Sequence, residues 1–261
     1  MILTIDVGNT ETVLGVFPAA PTGKEGEPLL SWRLATDRGR TADELALLVR
    51  GFLADSRLAG KRAERAVIAS VVPVLDRVWG GVCATLSIDT RFLTAEASGR
   101  LPLTIDVDDP FEVGADRLAN TLAIADRGRN AVVVDLGTAT TFDCIAANGV
   151  FLGGVIAPGP LAGMERLAQA ASRLMQVDVA PPASVVGRNT IACLRSGVFF
   201  SVVDAIDGIV RRILAEWQPE SPLIVGTGGL VGHIAPHCET IDAIEPHLTL
   251  RGLAIAARHL F

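Results

Sequence analysis

Tyrosine is absent from the 261 residues, and lysine occurs only at Lys24 and Lys61, both in polar, loop-like stretches. These gaps exclude a P-loop lysine, a Schiff-base lysine and a tyrosine acid. Charge stabilisation falls to arginine, a metal ion or backbone N–H groups. The chain holds no G-x-x-x-x-G-K-[ST], no G-x-G-x-x-G, no H-E-x-x-H and no G-x-S-x-G, which speaks against a P-loop kinase, a simple Rossmann dehydrogenase, a zincin and a nucleophile-elbow hydrolase. The four cysteines, Cys83, Cys144, Cys193 and Cys238, contain no C-x-x-C pair, so neither a zinc site nor a disulfide framework is indicated. Cys144 and Cys193 lie in apolar runs, which predicts buried thiols and suits a reducing cytoplasm. The start, Met1 to Asp6, has no basic region and reaches an acid too early for a signal peptide. No uncharged apolar run approaches the roughly 20 residues that cross a bilayer, so no membrane partner is expected. The net charge of -6 argues against a nucleic-acid partner.

What is present is a foldable chain, with 49% hydrophobic and 20% charged residues. Ile2–Ile5, Thr12–Phe17 and Leu29–Leu34 read as strands, the first two joined by the polar tip Asp6-Val7-Gly8-Asn9-Thr10. Residues 18–28 form a Pro/Gly-rich loop. Leu45, Leu48, Val49, Phe52 and Leu53 make one helical stripe, and Thr41 with Glu44 forms a capping box before it. Further strands are expected at Ala66–Val72 and near Phe92, with a short helix around 74–86. Ala131–Val134, the turn Asp135-Leu136-Gly137-Thr138 and a return strand Thr141–Ala146 repeat the opening. Val150–Ile156 and Pro222–Val225 read as strands, and 117–126, 161–174, 198–217 and 249–260 as helices. Two halves that each open with strand–Asp–x–Gly–turn–strand suggest an internal duplication, placed at 1–118 and 119–261. Mixed strands and helices give an α/β class with layered packing.

A tight turn between strands can aim several backbone N–H groups at one anion, and glycine permits a positive φ and a close approach to phosphate. Asn9, Thr10, Thr138 and Thr140 add side-chain donors. The aspartates suit a cation that bridges to phosphate, because Mg²⁺ favours carboxylates, water and phosphate oxygens. Two such hairpins facing each other would clamp a polyphosphate without lysine. The rival reading is ordinary turn chemistry, in which Asp, Asn and Gly serve local needs. A late Gly226-Thr227-Gly228-Gly229 after a strand suits a close approach to a purine or ribose.

Six motifs follow in order: Asp6-Val7-Gly8-Asn9-Thr10; Gly114-Ala115-Asp116-Arg117; Asp135-Leu136-Gly137-Thr138-Ala139-Thr140-Thr141; Gly153-Gly154-Val155-Ile156-Ala157-Pro158-Gly159; Val186-Gly187-Arg188-Asn189-Thr190; and Gly226-Thr227-Gly228-Gly229. Taken together they resemble the type III pantothenate kinases, over almost the whole chain, and Arg33–Glu44 resembles the stretch after that family's third strand. The resemblance implies two ribonuclease-H-like domains of the acetate kinase, sugar kinase, Hsp70 and actin superfamily, with the nucleotide between them. It also implies ATP-dependent phosphorylation of pantothenate, the first step of coenzyme A synthesis, by a cytoplasmic homodimer using Mg²⁺ and K⁺ or NH₄⁺. By resemblance the hairpin Asp6, Val7, Gly8, Asn9, Thr10, Glu11, Thr12 and Val13 binds ATP, joined by Thr138 and Gly228. Asp135 matches the monovalent-cation ligand, and Asp6 is the expected Mg²⁺ ligand. Gly114, Ala115, Asp116 and Arg117 match the pantothenate loop, with Asp116 as proton acceptor, and Thr190 matches a further substrate contact.

The residues support Asp116 and Arg117 independently. Phosphoryl transfer needs a carboxylate to orient the attacking hydroxyl, and arginine binds a carboxylate bidentately. Their bland reading is a helix N-terminus that favours Asp. Glu11 itself reads as a solvated turn carboxylate and Thr41 as a cap. His233, His237, His247 and His259 read as structural, and Asp143 as a strand residue near the second hairpin. The chain departs from the resemblance at Val107, where the family commonly has a tyrosine that packs on pantothenate. The competing classes are a phosphatase or acyl-phosphate kinase of the same superfamily, and a non-enzymatic transcription accessory factor.

Overall fold

The structure is a computed structural model, described for residues 1–19, 26–58, 60–162 and 177–261. Lys24, the centre of the 18–28 loop and most of the helix expected at 161–174 lie outside the described residues. Among the described residues the strands are β1 Ile2–Val7, β2 Glu11–Phe17, β3 Leu30–Ala35, β4 Arg65–Ser70, β5 Asp89–Phe92, β6 Thr104–Ile105, β7 Ala131–Leu136, β8 Ala139–Ala146, β9 Val150–Pro158, β10 Leu223–Thr227 and β11 Ala243–Ile244. The helices are α1 Ala42–Leu53, α2 Asp76–Thr85, α3 Ala115–Ala125, α4 Thr190–Trp217, the short α5 Val231–Ile234 and α6 Leu248–Leu260. The chain divides into two compact units. One comprises Met1–Arg127, Gly149–Phe151 and His247–Phe261; the other comprises Gly128–Asn148 and Leu152–Pro246.

In the first unit the sheet order is β3-β2-β1-β4-β5. β1 pairs antiparallel with β2 and parallel with β4. Side chains alternate across β1, as the period of two requires. Leu3, Ile5 and Val7 join the core with Leu45, Val49 and Trp79 of α1 and α2. Ile2 joins the opposite core with α3 and α6. Thr4 is buried on that second face and its hydroxyl donates to the Gly15 carbonyl at 3.2 Å. Asp6 follows the same parity, so it ends β1 on the α3/α6 face. Two glycines let α6 pack closely: a Cβ at Gly15 would stand 2.9 Å from Leu250 Cδ1, and one at Gly252 would overlap the Ala119 carbonyl of α3.

The capping box of α1 forms as expected, with Glu44 N–H donating to Thr41 Oγ1 at 3.3 Å and Thr41 N–H to Glu44 Oε2 at 2.8 Å. The buried stripe differs from the expected one. Leu45, Ala46 and Val49 face the core, whereas Leu48 is 36% exposed.

The second sheet repeats the order as β9-β8-β7-β10-β11, with the two-residue β6 added parallel beside the start of β9. β7 pairs antiparallel with β8 and parallel with β10. Val132, Val134 and Leu136 pack on Phe199, Val203, Ile206 and Val210 of α4. The other parity carries Val133 and Asp135, and places Asp143 opposite Val133, fully buried. α4 begins at Thr190, a full two turns before the expected 198. Asn189 caps it by accepting from the Ala192 N–H at 2.9 Å.

The cysteine expectation needs correction. Cys83 is the buried thiol, and burial pushes its pKa up. Cys144 is half-buried and Cys193 is exposed, because α4 turns Cys193 away from the face that carries Phe199 and Val203.

Candidate functional site

The first hairpin closes through its glycine. The Gly8 N–H donates to the Glu11 carbonyl at 3.0 Å, and a Cβ at Gly8 would stand 2.9 Å from that same oxygen. Gly8 and Gly137 are not among the positive-φ glycines, which corrects the expectation that they supply left-handed turns. Close approach within the turn explains Gly8. The amide expected to face an anion is engaged in closing the turn, so donors at this tip come from the residues that follow. Asn9, Thr10 and Glu11 are exposed. Val7 is buried in the core and Val13 is half-buried.

The segment after β3 wraps this tip. Thr36 N–H donates to the Thr10 carbonyl at 2.9 Å, and the Thr12 and Thr36 hydroxyls lie 2.8 Å apart. Arg33 pairs with Glu11 at 2.9 Å, and Arg38 donates to Asn9 Oδ1 at 3.3 Å. Sequence reasoning did not single out Arg38, because an arginine in a turn follows no period.

The second hairpin closes similarly, with Gly137 N–H donating to the Ala139 carbonyl at 3.1 Å. Gly137 and Thr138 are exposed and Thr140 is buried. Here backbone crowds the turn. A Cβ at Gly159 would overlap the Thr138 carbonyl. Gly228 has φ 94°, and a Cβ there would stand 2.5 Å from Asp135 Oδ1 and 2.6 Å from the Leu136 nitrogen. That φ is one that side chains rarely adopt. The Gly226–Gly229 turn is therefore pressed onto the Asp135 carboxylate, within the second unit.

Gly114 is the N-cap of α3, and Ala115, Asp116 and Arg117 form its first turn. Asp116 is half-buried. The Arg117 N–H donates to its Oδ1 at 2.8 Å, and a Cβ at Gly114 would stand 2.5 Å from the same oxygen, so glycine makes room for the carboxylate. Burial pushes the Asp116 carboxyl up, against the Arg117 N–H bond and the Arg117 charge, which pull it down. The Arg117 guanidinium lies 5.0 Å from the centroid of the Phe151 ring. A cation held over a ring face is attracted by the ring quadrupole. Phe151 gave no sequence signal, since only the fold brings the start of β9 to α3. Val107 is half-buried in the loop before α3, where Asp109 accepts from the Phe111 N–H at 2.9 Å.

Thr190 is exposed at the start of α4 and belongs to the second unit, whereas Gly114–Arg117 belong to the first. With Thr140 and Phe142 it lines a cavity of about 610 Å³ whose walls are the Ala157–Pro160 segment and one side of α4. Val198 and Val202 line this cavity, while Phe199, Val203 and Ile206 enter the core, so the apolar helix serves two surroundings. Two of the four histidines have structural neighbours: His237 meets the Phe199 ring edge-on at 5.0 Å, and His247 bonds Glu27 at 2.6 Å and Ser31 at 3.2 Å.

Among the described residues no group of three or more His, Cys, Asp or Glu side chains could hold a metal ion. Among the described residues no helix is long and apolar enough to cross a membrane.

Comparison with known proteins points one way. A family model described as type III pantothenate kinase matches residues 2–212. A type III pantothenate kinase of Acidothermus cellulolyticus is 42% identical over 257 residues, covering 98% of this chain and 97% of that protein. One from Anaeromyxobacter dehalogenans is 43% identical over 256 residues, covering 98% of each. Among solved structures, a Campylobacter jejuni protein described as a Baf family transcriptional activator aligns with TM-score 0.60 at 19% identity, covering 99% of this chain and 100% of that one. An inorganic polyphosphate/ATP-glucomannokinase from Arthrobacter aligns with TM-score 0.50 at 15% identity, covering 99% of both. At those identities the structural likenesses carry the fold alone, a mixed α/β fold built on two sheets.

Proposed function

The chain belongs to the type III pantothenate kinase family, and from that premise we infer that it phosphorylates pantothenate with ATP in coenzyme A synthesis. The observation that carries this to named atoms is the first turn of α3. There one carboxyl, Asp116, is raised by burial and held at one oxygen by the Arg117 N–H.

In the proposed reaction the primary hydroxyl of pantothenate attacks the γ-phosphorus. Asp116 accepts the hydroxyl proton as the new O–P bond forms and the bond to the bridging oxygen breaks, releasing ADP. Asp116 Oδ1 is occupied by the Arg117 N–H, which leaves Oδ2 for the substrate. A raised pKa makes the carboxylate a stronger base, and a positioned base contributes about 10²- to 10⁴-fold. Arg117, steadied over Phe151, takes the pantothenate carboxylate. Gly114 and Ala115 keep the loop low enough for substrate to reach Asp116, with Val107 and Thr190 as further contacts. Val107 gives a smaller apolar surface than a tyrosine ring.

The first hairpin, Asp6 to Val13, serves the ATP phosphates, Thr138 adds a hydroxyl and Gly228 serves the nucleoside. Asp6 would hold Mg²⁺, which neutralises phosphate charge when bound. Asp135, clasped by the Gly228 backbone, would hold K⁺ or NH₄⁺. We also propose a homodimer, supported by the half-buried Val198 and Val202 on α4, a cytoplasmic location, and descent of 1–118 and 119–261 from one duplicated element, supported by the strand order that the two sheets share, with the remainder of α3 and all of α6 packed into the first compact unit. The transcriptional description of the Campylobacter protein does not extend to this chain.

A coupled assay of ADP release with and without pantothenate tests the activity. Release that depends on pantothenate is the expected result. Pantothenate-independent release would favour a phosphatase or acyl-phosphate kinase, and none at all a non-enzymatic role.

A further inference from the structure

We propose that Arg38 is the side-chain cation that the first hairpin offers to the terminal phosphates of ATP, with Asn9 as its orienting partner. The proposal rests on reading that hairpin as a nucleotide phosphate site.

Phosphoryl transfer needs positive charge near the transferring group, and P-loop enzymes place a lysine there. The sequence has no P-loop motif to carry such a lysine. Of its two lysines, Lys24 lies outside the described residues and Lys61 lies in an exposed loop before β4. The need falls on arginine, and three guanidiniums occur around the first hairpin. Arg33 is neutralised by Glu11 at 2.9 Å. Arg40 lies 3.9 Å from Asp37, whose carboxylate also accepts the Gly39 N–H at 2.9 Å. Arg38 differs from both. Its hydrogen bond is to a neutral amide, Asn9 Oδ1, at 3.3 Å. Among the described residues it forms no ion pair, and it is exposed.

The surrounding bonds hold it near the tip. Thr36 is tied to Thr10 and Thr12 of the hairpin, so the chain two residues on returns Arg38 to Asn9. The bond also sets Asn9. With Oδ1 turned to Arg38, the Nδ2 end is free to donate elsewhere. A planar guanidinium and an amide donor side by side suit phosphate oxygens, because arginine binds phosphate bidentately.

The test uses the full chain with Arg38→Ala, Arg38→Lys and Arg38→Glu. Titration with the β,γ-imido analogue of ATP and with adenosine separates phosphate from nucleoside contacts. Arg38→Ala is expected to weaken the imido analogue about 10-fold or more, and to lower kcat/KM for ATP roughly 10- to 100-fold. Adenosine affinity and the KM for pantothenate should stay within about twofold, since neither involves the phosphates. Lysine should restore part of the loss and glutamate deepen it. Equal losses for adenosine and the imido analogue, or an unchanged kcat/KM for ATP in an active enzyme, would overturn the proposal. Wild-type protein that binds the imido analogue through Arg38 but shows no pantothenate-dependent ADP release would overturn the kinase reading instead. Arg38 is exposed on a turn, so its variants should melt with the wild type. If Arg38→Ala does not, the Arg38→Lys and Arg38→Glu pair decides by the opposite signs of their effects.

Discussion

The two strand–Asp–x–Gly hairpins share a strand order and a turn bond, and they differ in what surrounds them. Around the first tip the neighbours are side chains, with Thr36, Arg33 and Arg38 from β3 and the turn after it bonding Thr12, Glu11 and Asn9. Around the second tip the neighbours are backbone, with Gly228 against Asp135 and Gly159 against the Thr138 carbonyl, so close that neither position has room for a Cβ. Two like turns have thus received opposite chemistry from their flanks. One tip gains guanidinium and hydroxyl donors suited to phosphate. The other holds a carboxylate against main chain, which suits a small cation. The lesson is that the Asp–x–Gly motif fixes only the turn, and function is assigned by the segment that packs beside it.

The largest effect should lie outside both hairpins. Asp116→Asn is expected to lower kcat about 10³-fold, within the range a positioned base supplies, while affinity for the imido analogue of ATP stays within about twofold. A hairpin variant such as Asp6→Asn that lost as much kcat with nucleotide binding intact would break the division between chemistry and phosphate binding. Asp116 also has a pH signature. Burial raises its pKa, so activity should fall on acidification at a pH above the ordinary carboxylate range, and the Asn variant should lack that limb. The stability sign is opposite. A carboxyl with a raised folded-state pKa contributes stability below its unfolded pKa and loses it as pH rises through the folded value. Asp116→Asn should therefore melt higher than wild type at pH 7.5, with the gap closing toward pH 4. A lower melting point at pH 7.5 would mean that the Arg117 contacts outweigh burial.

The next effect compares the glycines. Gly228→Ala must accept φ 94° and a clash with Asp135, and should cost about 2–4 kcal/mol in urea unfolding. Gly137→Ala meets nothing closer than 3.6 Å and should cost under about 1 kcal/mol. Gly8→Ala, 2.9 Å from the Glu11 carbonyl, should fall between them. Equal costs at Gly137 and Gly228 would mean that backbone crowding does not distinguish the second hairpin.

Sequence reasoning reached the features whose cause is local. Both hairpins and the capping box of α1 rest on residues within a few positions of each other. It missed features whose cause is distant. β6 and β11 are two residues long and exist only because a neighbouring strand supplies partners. In the first two turns of α4 the apolar run Ile191–Leu194 is cut by Arg195, Ser196 and Gly197, so the stripe did not read through them, and Ser196 is held by its 2.6 Å bond to the Val185 carbonyl. α6 belongs to the first unit, which no local pattern announces. Phe151 beneath Arg117 and Arg38 beside Asn9 are pairings made by the fold.

The smallest effect concerns Glu11, which lies in the hairpin yet pairs with Arg33. Their side chains are 51% and 42% exposed, and exposed pairs contribute about 0–1 kcal/mol. Glu11→Gln should therefore leave stability within about 0.5 kcal/mol. Its effect on ATP has a sign worth measuring. If Glu11 only neutralises Arg33, removing its charge frees a second guanidinium at the tip, and the KM for ATP should fall by up to about threefold at low salt and return to the wild-type value at high salt, where surface charges are screened. If Glu11 itself contacts the nucleotide through a metal ion, the KM should rise instead and stay raised in salt. The first outcome sharpens the contrast between the hairpins, because it makes the first tip a site whose positive charge is held in check by one carboxylate. The second would give both hairpins a carboxylate that works on the ligand, and the difference between them would narrow to the arginines alone.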